Sequence, residues 1–303
     1  VLTAYEMVNH AYANEPITLT VGESGHSTGF TGSISGLGGL VKQGAGTFAI
    51  TGELDYAGST TVNGGTLRIE SPLLGTGGVI VNHNATLEAD SEIAGALVVN
   101  SGGIISPGGL ETGVLRPNGL DLTAGAILHF DLGDFTTSDL IELSGGTFTA
   151  PSSGQAEIQI AAILGFGPGT YPLVSGAPGI DASQFQISTA APAGYTFALS
   201  ASNETLSVTV TGPPPAPELL LAYGKDHLVS LVWNSAPGAA NYTVYQSTLP
   251  DSGFVAVTTD TALSYNATAL TNGTPYYFHV TATNGFGESQ RSETVTATPS
   301  RST

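Results

Sequence analysis

The middle of the chain repeats a short unit of strand, tight turn and strand. The units begin at Val41, Val62, Val81, Val99 and Leu122, so successive units lie 21, 19, 18 and 23 residues apart. Asn or Gly occupies most of the turns, and both residue types tolerate the left-handed backbone of sharp turns. One such unit cannot bury its own apolar face, whereas stacked units share a continuous core. The repeat therefore predicts a parallel β-solenoid, with an antiparallel meander as the alternative.

Alternation of apolar and polar residues predicts further strands on either side of the repeat. These predicted strands cover residues 17–21, 147–149, 156–160 and 206–210. One helix is predicted, over residues 4–13. Thr3 and Glu6 form a capping-box pattern at its start, and Pro16 follows its end.

The charge balance, the absence of cysteine and the length of the apolar runs each limit what this chain can be. The chain has 24 acidic and 6 basic residues, a formal charge of −18, and no cysteine. Six dispersed cations cannot line a phosphate track, so no nucleic-acid partner is expected. No apolar run reaches the roughly 18 residues that a membrane-spanning helix needs. The absence of cysteine is compatible with a secreted, extracellular or cell-surface protein, and the opening at Val1 indicates a processed product, with any signal peptide already removed, or a fragment.

The repeat resembles a known family. Residues 36–48 read GLGGLVKQGAGTF, and residues 56–67 read YAGSTTVNGGTL. Both segments are similar to the autotransporter-associated β-strand repeat, and looser similarity extends over about residues 30–210. The resemblance implies a β-helical bacterial surface protein whose repeats carry no catalytic residues.

A second module follows the proline-rich segment 212–217, which predicts an extended polyproline II linker. The pattern around Trp233, and the run from Leu270 through Tyr276, resemble a fibronectin type III domain. That resemblance implies an immunoglobulin-like β-sandwich with Trp233 in its core. It also implies that Tyr276 is a corner tyrosine, bonded back to the chain near Leu270.

The predicted architecture is therefore all-β, a parallel β-solenoid or β-helix followed by a fibronectin type III β-sandwich. The predicted domains are an N-terminal cap or docking segment (1–35), the solenoid (36–211), the linker (212–217) and the sandwich (218–303).

The motifs that could carry chemistry have structural explanations. Ser27 lies in a G-x-S-x-G match, but the Gly- and Ser-rich residues after it cannot form the helix that a nucleophile elbow needs. The histidines show no metal-binding spacing, and His279, between Phe278 and Val280, is expected at the surface of a strand.

Carboxylates are densest at Asp131, Asp134, Asp139 and Glu142. Their spacing matches no calcium-binding loop, so we expect solvated loop residues in preference to a calcium site.

β-Helical folds also host polysaccharide lyases and glycosidases. A lyase needs a basic residue, and the solenoid offers only Lys42, Arg68 and Arg116. Lys42 and Arg68 lie inside the repeat pattern. A glycosidase needs two carboxylates held a few ångströms apart, and the sequence alone leaves such a pair open. The leading prediction is no catalytic residue, no cofactor and no metal site.

The leading hypothesis is a non-enzymatic structural protein of a bacterial cell surface. Its expected partners are further copies of itself, other cell-surface components, or glycans. The alternative is a carbohydrate-binding, accessory or adhesin segment of a larger secreted polysaccharide-acting protein. Exposed tyrosines would favour that alternative, and the candidates are Tyr242, Tyr245, Tyr265 and Tyr277.

The N-terminal segment is the candidate for self-assembly. It is predicted either to cap its own solenoid or to dock on the next subunit, which would give an open head-to-tail filament. The candidate contact residues are Tyr5, Met7, Val8, Tyr12, Ile17, Leu19 and Val21.

Overall fold

The structure is a computed structural model that describes residues 16–109, 111–134 and 136–301. The predicted helix over 4–13 lies outside these residues. The chain divides into two compact units. The first contains Val1–Ile163, Tyr171–Ala190 and Ala198–Val208, and the second contains Leu164–Thr170, Ala191–Phe197 and Thr209–Thr303.

The strands up to residue 211 are mostly short, and within the described part of this stretch a single 3₁₀ helix lies at Ala182–Gln184. In chain order they are β1 (Leu19–Val21), β2 (Thr28–Phe30), β3 (Ile34–Gly36), β4 (Leu40–Lys42), β5 (Thr47–Ile50), β6 (Leu54–Tyr56), β7 (Thr60–Val62), β8 (Gly65–Ile69), β9 (Val79–Val81), β10 (Ala85–Ala89), β11 (Glu92–Ile93), β12 (Leu97–Val99), β13 (Ile104–Pro107), β14 (Val114–Pro117), β15 (Leu120–Leu122), β16 (Ile127–Leu132), β17 (Leu140–Glu142), β18 (Phe148–Thr149), β19 (Ala156–Ala162), β20 (Gly169–Ser175), β21 (Phe185–Ile187), β22 (Thr196–Ser202) and β23 (Thr205–Thr211).

The strands from β1 to β21 stack along three faces of a parallel β-solenoid, and β22 and β23 extend the sheet of its third face. The first sheet has the order β1-β4-β7-β9-β12-β15-β18, and the second has the order β2-β5-β8-β10-β13-β16-β19-β21. The third face contains the pair β3-β6, single-residue bridges through Leu73, and a sheet of order β11-β14-β17-β20-β23-β22. All the strand pairs of the first two sheets are parallel. The solenoid prediction is therefore confirmed, and the meander is ruled out for these strands.

Apolar columns fill the solenoid because each strand turns alternate side chains inward. In the first sheet Val62 pairs with Val81 and Val81 with Val99, and all three are buried. In the second sheet Leu67 pairs with Leu87 and both are fully buried. Each coil covers an apolar face of its neighbour that would otherwise be exposed to water.

The coil register corrects the predicted alignment by one residue. The sequence repeat aligned Val41 with Val62, whereas Lys42 pairs with Val62 and Val41 pairs with Thr61. The reason is that Lys42, with 1% of its surface exposed, takes an inward position that valine takes in the neighbouring coils. The repeat thus advances 20 residues at this step, from 42 to 62.

Glycine lets successive coils approach closely at the corner that precedes the first sheet. A Cβ atom on Gly58 would lie 2.5 Å from the carbonyl carbon of Gly38, and one on Gly77 would lie 2.3 Å from that of Gly58. Real Cβ atoms do not approach backbone this closely, so these corners require glycine.

Asparagine side chains form a ladder along the turn that directly follows the strands of the first sheet. Asn82 Nδ2 donates to Asn63 Oδ1 at 2.7 Å, and Asn100 Nδ2 donates to Asn82 Oδ1 at 2.7 Å. Each amide thus links one coil to the next, as in other stacks of parallel identical turns.

The residues beyond the linker form an antiparallel sandwich. Its strands are β24 (Leu219–Lys225), β25 (Leu228–Trp233), β26 (Asn241–Ser247), β27 (Val255–Asp260), β28 (Ser264–Ala267), β29 (Tyr276–Asn284), β30 (Gly287–Glu288) and β31 (Val295–Ala297). One sheet has the order β24-β25-β28, and the other has the order β27-β26-β29-β30, with β31 also paired to β29. This division into three and four-plus-one strands is that of a fibronectin type III domain, as predicted.

The sandwich core contains the residues that the resemblance implied. Trp233 is 3% exposed, and its ring lies 5.9 Å from that of Tyr242. The Tyr276 hydroxyl oxygen accepts a hydrogen bond of 3.1 Å from the backbone N–H of Thr271, one residue after Leu270. The core indole and the tyrosine corner are therefore confirmed.

Candidate functional site

The first coil ends the described part of each sheet on one side of the solenoid. Leu19 donates its backbone N–H to Gly39 O at 2.8 Å, and the Val21 carbonyl accepts from Gln43 N at 2.8 Å. In a parallel strand, alternate residues direct their backbone groups to opposite neighbours. The N–H and C=O of Thr20 therefore point away from β4, toward the edge of β1 that no other described strand covers.

A cavity of about 890 Å³ opens at this end of the coil stack. Its apolar wall includes Leu19, Val21, Phe30, Ile34 and Phe48, and Glu23 and His26 contribute polar groups. We call this surface, together with the edge of β1 that has no strand partner among the described residues, the first-coil end. An open strand edge beside apolar side chains is a surface that can pair with another polypeptide.

The candidate self-assembly residues fall partly on this surface. Leu19 and Val21 line the cavity, with Val21 buried and Leu19 half-buried, while Ile17 is 60% exposed. Tyr5, Met7, Val8 and Tyr12 lie outside the described residues. Their role in assembly stays a prediction.

Lys42 is held inside the solenoid by backbone carbonyls. Its ammonium nitrogen donates to Gln43 O at 2.7 Å and to Gly44 O and Gly64 O, each at 2.9 Å. Burial lowers the pKa of this amine below its usual value. All three ammonium protons are used, so this lysine joins two turns of adjacent coils and has no proton donor left for chemistry.

Both arginines of the solenoid form ion pairs with glutamates. Arg68 Nε lies 2.7 Å from Glu88 Oε2, its register partner on β10, and Arg116 Nε lies 2.9 Å from Glu142 Oε2. These pairs join neighbouring coils on the outer surface of the solenoid.

One of the four clustered acidic residues is buried, which the sequence prediction missed. Asp139 is 0% exposed, and its two oxygens accept from the backbone N–H groups of Gly113 and Asp131, each at 2.9 Å. The prediction of a solvated loop residue is therefore wrong for Asp139. Burial raises the pKa of this carboxyl to about 7, and the nearby Asp131 charge adds to the rise. Its two hydrogen bonds reach residues that lie 26 and 8 positions earlier in the chain, and no local pattern signals such contacts.

Asp134 does lie at the surface. Its carboxylate accepts from the N–H and hydroxyl groups of Thr136 and Thr137, and these bonds lower its pKa. Across residues 16–109, 111–134 and 136–301, no three acidic or histidine side chains converge to hold a metal ion.

Ser27 lacks the setting of a nucleophile. Strand β2 follows it instead of a helix, and its hydroxyl accepts a 3.1 Å hydrogen bond from Thr47 N. The structure thus confirms the expectation that no helix follows this G-x-S-x-G match.

His279 corrects a prediction in the sandwich. It faces away from the core as its strand pattern indicated, yet only 7% of its surface is exposed. The rings of Tyr245 and Phe254 cover it, with centroid distances of 4.9 and 4.4 Å. This burial lowers its pKa; the Arg291 charge adds to the decrease and Glu288 opposes it.

The four candidate tyrosines divide between two environments. Tyr242 is buried in the sandwich core, and Tyr265 packs against that core. Tyr245 and Tyr277 are half-buried on the opposite side of their sheet, where Tyr245 pairs with His279 and Tyr277 with Ser247. The sequence did not indicate Phe254 or Glu288, which come from a loop and a hairpin that strand alternation does not describe.

The repeat region has recognisable relatives. Residues 40–69 match the family model described as "Passenger-associated-transport-repeat". A stretch of 83 residues is 42% identical to the adhesin BmaC autotransporter of Brucella suis biovar 1 (strain 1330), covering 27% of this chain and 2% of that protein. The resemblance to autotransporter repeats is therefore confirmed, over a small fraction of the relative's length.

Solved structures similar to part of the chain include fibronectin type III domains. FN3tt is 26% identical, with 29% of this chain and 97% of that chain covered and a TM-score of 0.26. An Fn3-like protein from Clostridium thermocellum is also 26% identical, with 30% and 94% covered and a TM-score of 0.26. In the described part of the chain, no helix has the length and apolar character needed to cross a membrane.

Proposed function

We propose that this chain is a non-enzymatic structural segment of a bacterial cell-surface adhesin. The observation that carries the proposal is the unbroken parallel stacking of strands from β1 to β18 in one sheet and from β2 to β21 in the next. A core of this kind makes a scaffold that can be extended coil by coil. Similarity to an autotransporter adhesin and to a passenger-associated repeat supports export to the cell surface.

The state of the basic residues supports a structural role. Lys42 is bound by three carbonyls, and Arg68 and Arg116 are paired with carboxylates. A lyase mechanism needs a basic group free to meet substrate, and each of these three contributes to contacts between coils instead.

Surface display tests the structural proposal. The full chain is exported and anchored on a non-adherent bacterium, and the adhesion of those cells is compared with cells carrying Leu87→Asp. Leu87 is fully buried, so this variant should lose protease resistance and adhesion together. The outward-facing Thr86→Asp on the same strand is the control and should retain both. Equal adhesion of bare cells and cells that display the folded chain would contradict the proposal.

A finer proposal concerns assembly. We propose that the first-coil end binds a second copy of this chain in a head-to-tail contact, with the segment that carries Tyr5, Met7, Val8 and Tyr12 contributing to it. The outward-directed backbone of Thr20, the apolar cavity and the exposed Ile17 support this contact. Such a contact does not close on itself, so repeated addition gives a filament.

Thr20→Pro tests the contact directly. Proline removes an N–H that faces the open edge, while the β1–β4 bonds use the neighbouring residues. The variant should stay folded yet no longer assemble, by light scattering and electron microscopy, whereas Thr20→Ala should assemble as before.

Deletion of residues 1–16 separates the alternatives: a folded monomer supports a docking segment, and loss of folding indicates an intramolecular cap. Undiminished filaments from either Thr20→Pro or the truncated chain would overturn the proposal.

A further inference from the structure

The outer side of the larger sandwich sheet carries a buried cluster that the fold does not require. Phe278 and Val280 point into the sandwich core, so His279 and Thr281 lie on the opposite side of β29. Outer faces of such sheets normally meet solvent. His279 and Thr281 are nevertheless only 7% and 6% exposed.

Aromatic rings cover the histidine on this side. The Tyr245 ring stacks on His279 with an interplanar angle of 25°, and the Phe254 ring approaches at 47°. Within the described residues, His279 Nδ1 is buried without a hydrogen-bond partner. A buried polar atom left unpaired costs free energy, and such atoms in a native fold call for an explanation.

A carboxylate lies beside the rings. Glu288 Oε1 accepts from the hydroxyls of Tyr245 at 3.0 Å and Thr281 at 2.6 Å, which fixes the carboxylate next to the cluster. No hydrogen bond within the described residues occupies its second oxygen, and Glu288 is exposed. Arg291 is also exposed, and its charge acts on His279. The cluster therefore combines ring surface with a fixed carboxylate acceptor.

We propose that Tyr245, Phe254, His279 and Glu288 form a binding site for a neutral glycan. Sugars offer C–H faces that pack on aromatic rings and hydroxyls that bond to carboxylate and imidazole groups, the mixture of apolar surface and few polar groups that ligand sites use. An anionic ligand would meet Glu288 in a chain of net charge −18. An added peptide strand is disfavoured because β26 and β29 both have strands paired on each side.

This inference goes beyond the proposed scaffold function, which requires no ligand. The site lies in the sandwich and the proposed assembly contact lies at the first-coil end of the solenoid. Loss of sugar binding and loss of assembly can therefore be measured separately, in the same chain.

Calorimetry on the full chain tests the site. The probes are neutral hexasaccharides of glucose, xylose, mannose and N-acetylglucosamine, with hexagalacturonate as the anionic counterpart. We expect at least one neutral probe to bind and hexagalacturonate not to bind. Tyr245→Ala, His279→Phe and Glu288→Gln should each weaken that binding at least tenfold. Tyr223→Ala, a more than half-exposed tyrosine on the other sheet, is the matched control and should change nothing.

His279→Phe separates binding from packing, since phenylalanine keeps a ring between Tyr245 and Phe254 and removes both nitrogens. A variant that stays folded and loses the sugar supports the site. Unchanged sugar binding in this variant, no binding of any neutral hexasaccharide, or equal binding of hexagalacturonate would overturn the proposal.

Discussion

Lys42 lies in register with Val62 on the adjacent strand, so an ammonium group and an isopropyl group occupy successive positions of one inward column. The lysine is accommodated because the turns after β4 and β7 aim three carbonyls at its nitrogen. Gly44, whose carbonyl is one of the three acceptors, has a positive φ of 67°, which glycine adopts without strain. The sequence Lys42-Gln43-Gly44 thus has a physical reason in this coil.

Replacing Lys42 by methionine should destabilise the solenoid. Methionine fills the column but leaves the carbonyls of Gln43, Gly44 and Gly64 without their donor, and we expect a loss of about 2 kcal/mol in the free energy of unfolding. Denaturant titration followed by circular dichroism measures the change. The exposed Lys225→Met is the control and should have little effect. A Lys42→Met chain as stable as the parent would show that the carbonyl contacts contribute nothing.

The inward column of the second sheet should be equally sensitive. Leu87→Asp places an unpaired carboxylate in a fully buried position and should cost about 3–5 kcal/mol. Thr86→Asp, one residue earlier and facing outward, should cost well under 1 kcal/mol by the usual behaviour of surface substitutions. Melting temperatures of the two variants, measured side by side, check this contrast. Equal losses of stability would mean that Leu87 does not point into the solenoid while Thr86 points out of it.

Asp139 should make the solenoid less stable as pH rises from about 4 to about 7. Its folded pKa of about 7 lies above the ordinary value of 3.8, so the folded state holds a proton that the unfolded state releases in this range. The free energy of unfolding should fall by about 1.4 kcal/mol per pH unit from this group and level off above its folded pKa.

Asp139→Asn provides the reference for that measurement, because the amide does not titrate. The stability difference between parent and variant should shrink steadily as pH rises through this window. A difference that stays constant from pH 4 to 8 would show that Asp139 is ionised in the folded chain throughout.

The tyrosine corner should stabilise the sandwich alone. Tyr276→Phe removes the acceptor for Thr271 N and should lower the stability of the sandwich by about 1–2 kcal/mol. Tyr277→Phe, on the other side of the same strand, is the matched control. Calorimetric scans resolve the outcome, and an equal shift of the solenoid transition would contradict independent unfolding of the two folds.

Local sequence patterns predicted the fold well because the repeat and the strand alternation are local. Val62, Val81 and Val99 stack as their spacing indicated. Lys42 was misaligned because a lysine does not resemble a core residue until its carbonyl partners are known. Asp139 and His279 were missed for a related reason: their burial comes from Gly113, Tyr245 and Phe254, which are distant in sequence.

Cysteine cross-linking tests the coil register most directly, since the chain contains no cysteine of its own. Val41 and Thr61 pair across β4 and β7 and both face outward. Paired residues of neighbouring strands lie about 4.8 Å apart, within disulfide range. The double variant Val41→Cys, Thr61→Cys should form a disulfide nearly completely under mild oxidation, as peptide mapping by mass spectrometry would show. Preferential cross-linking of Val41→Cys with Val62→Cys, whose side chain points inward, would contradict the parallel register on which the solenoid rests.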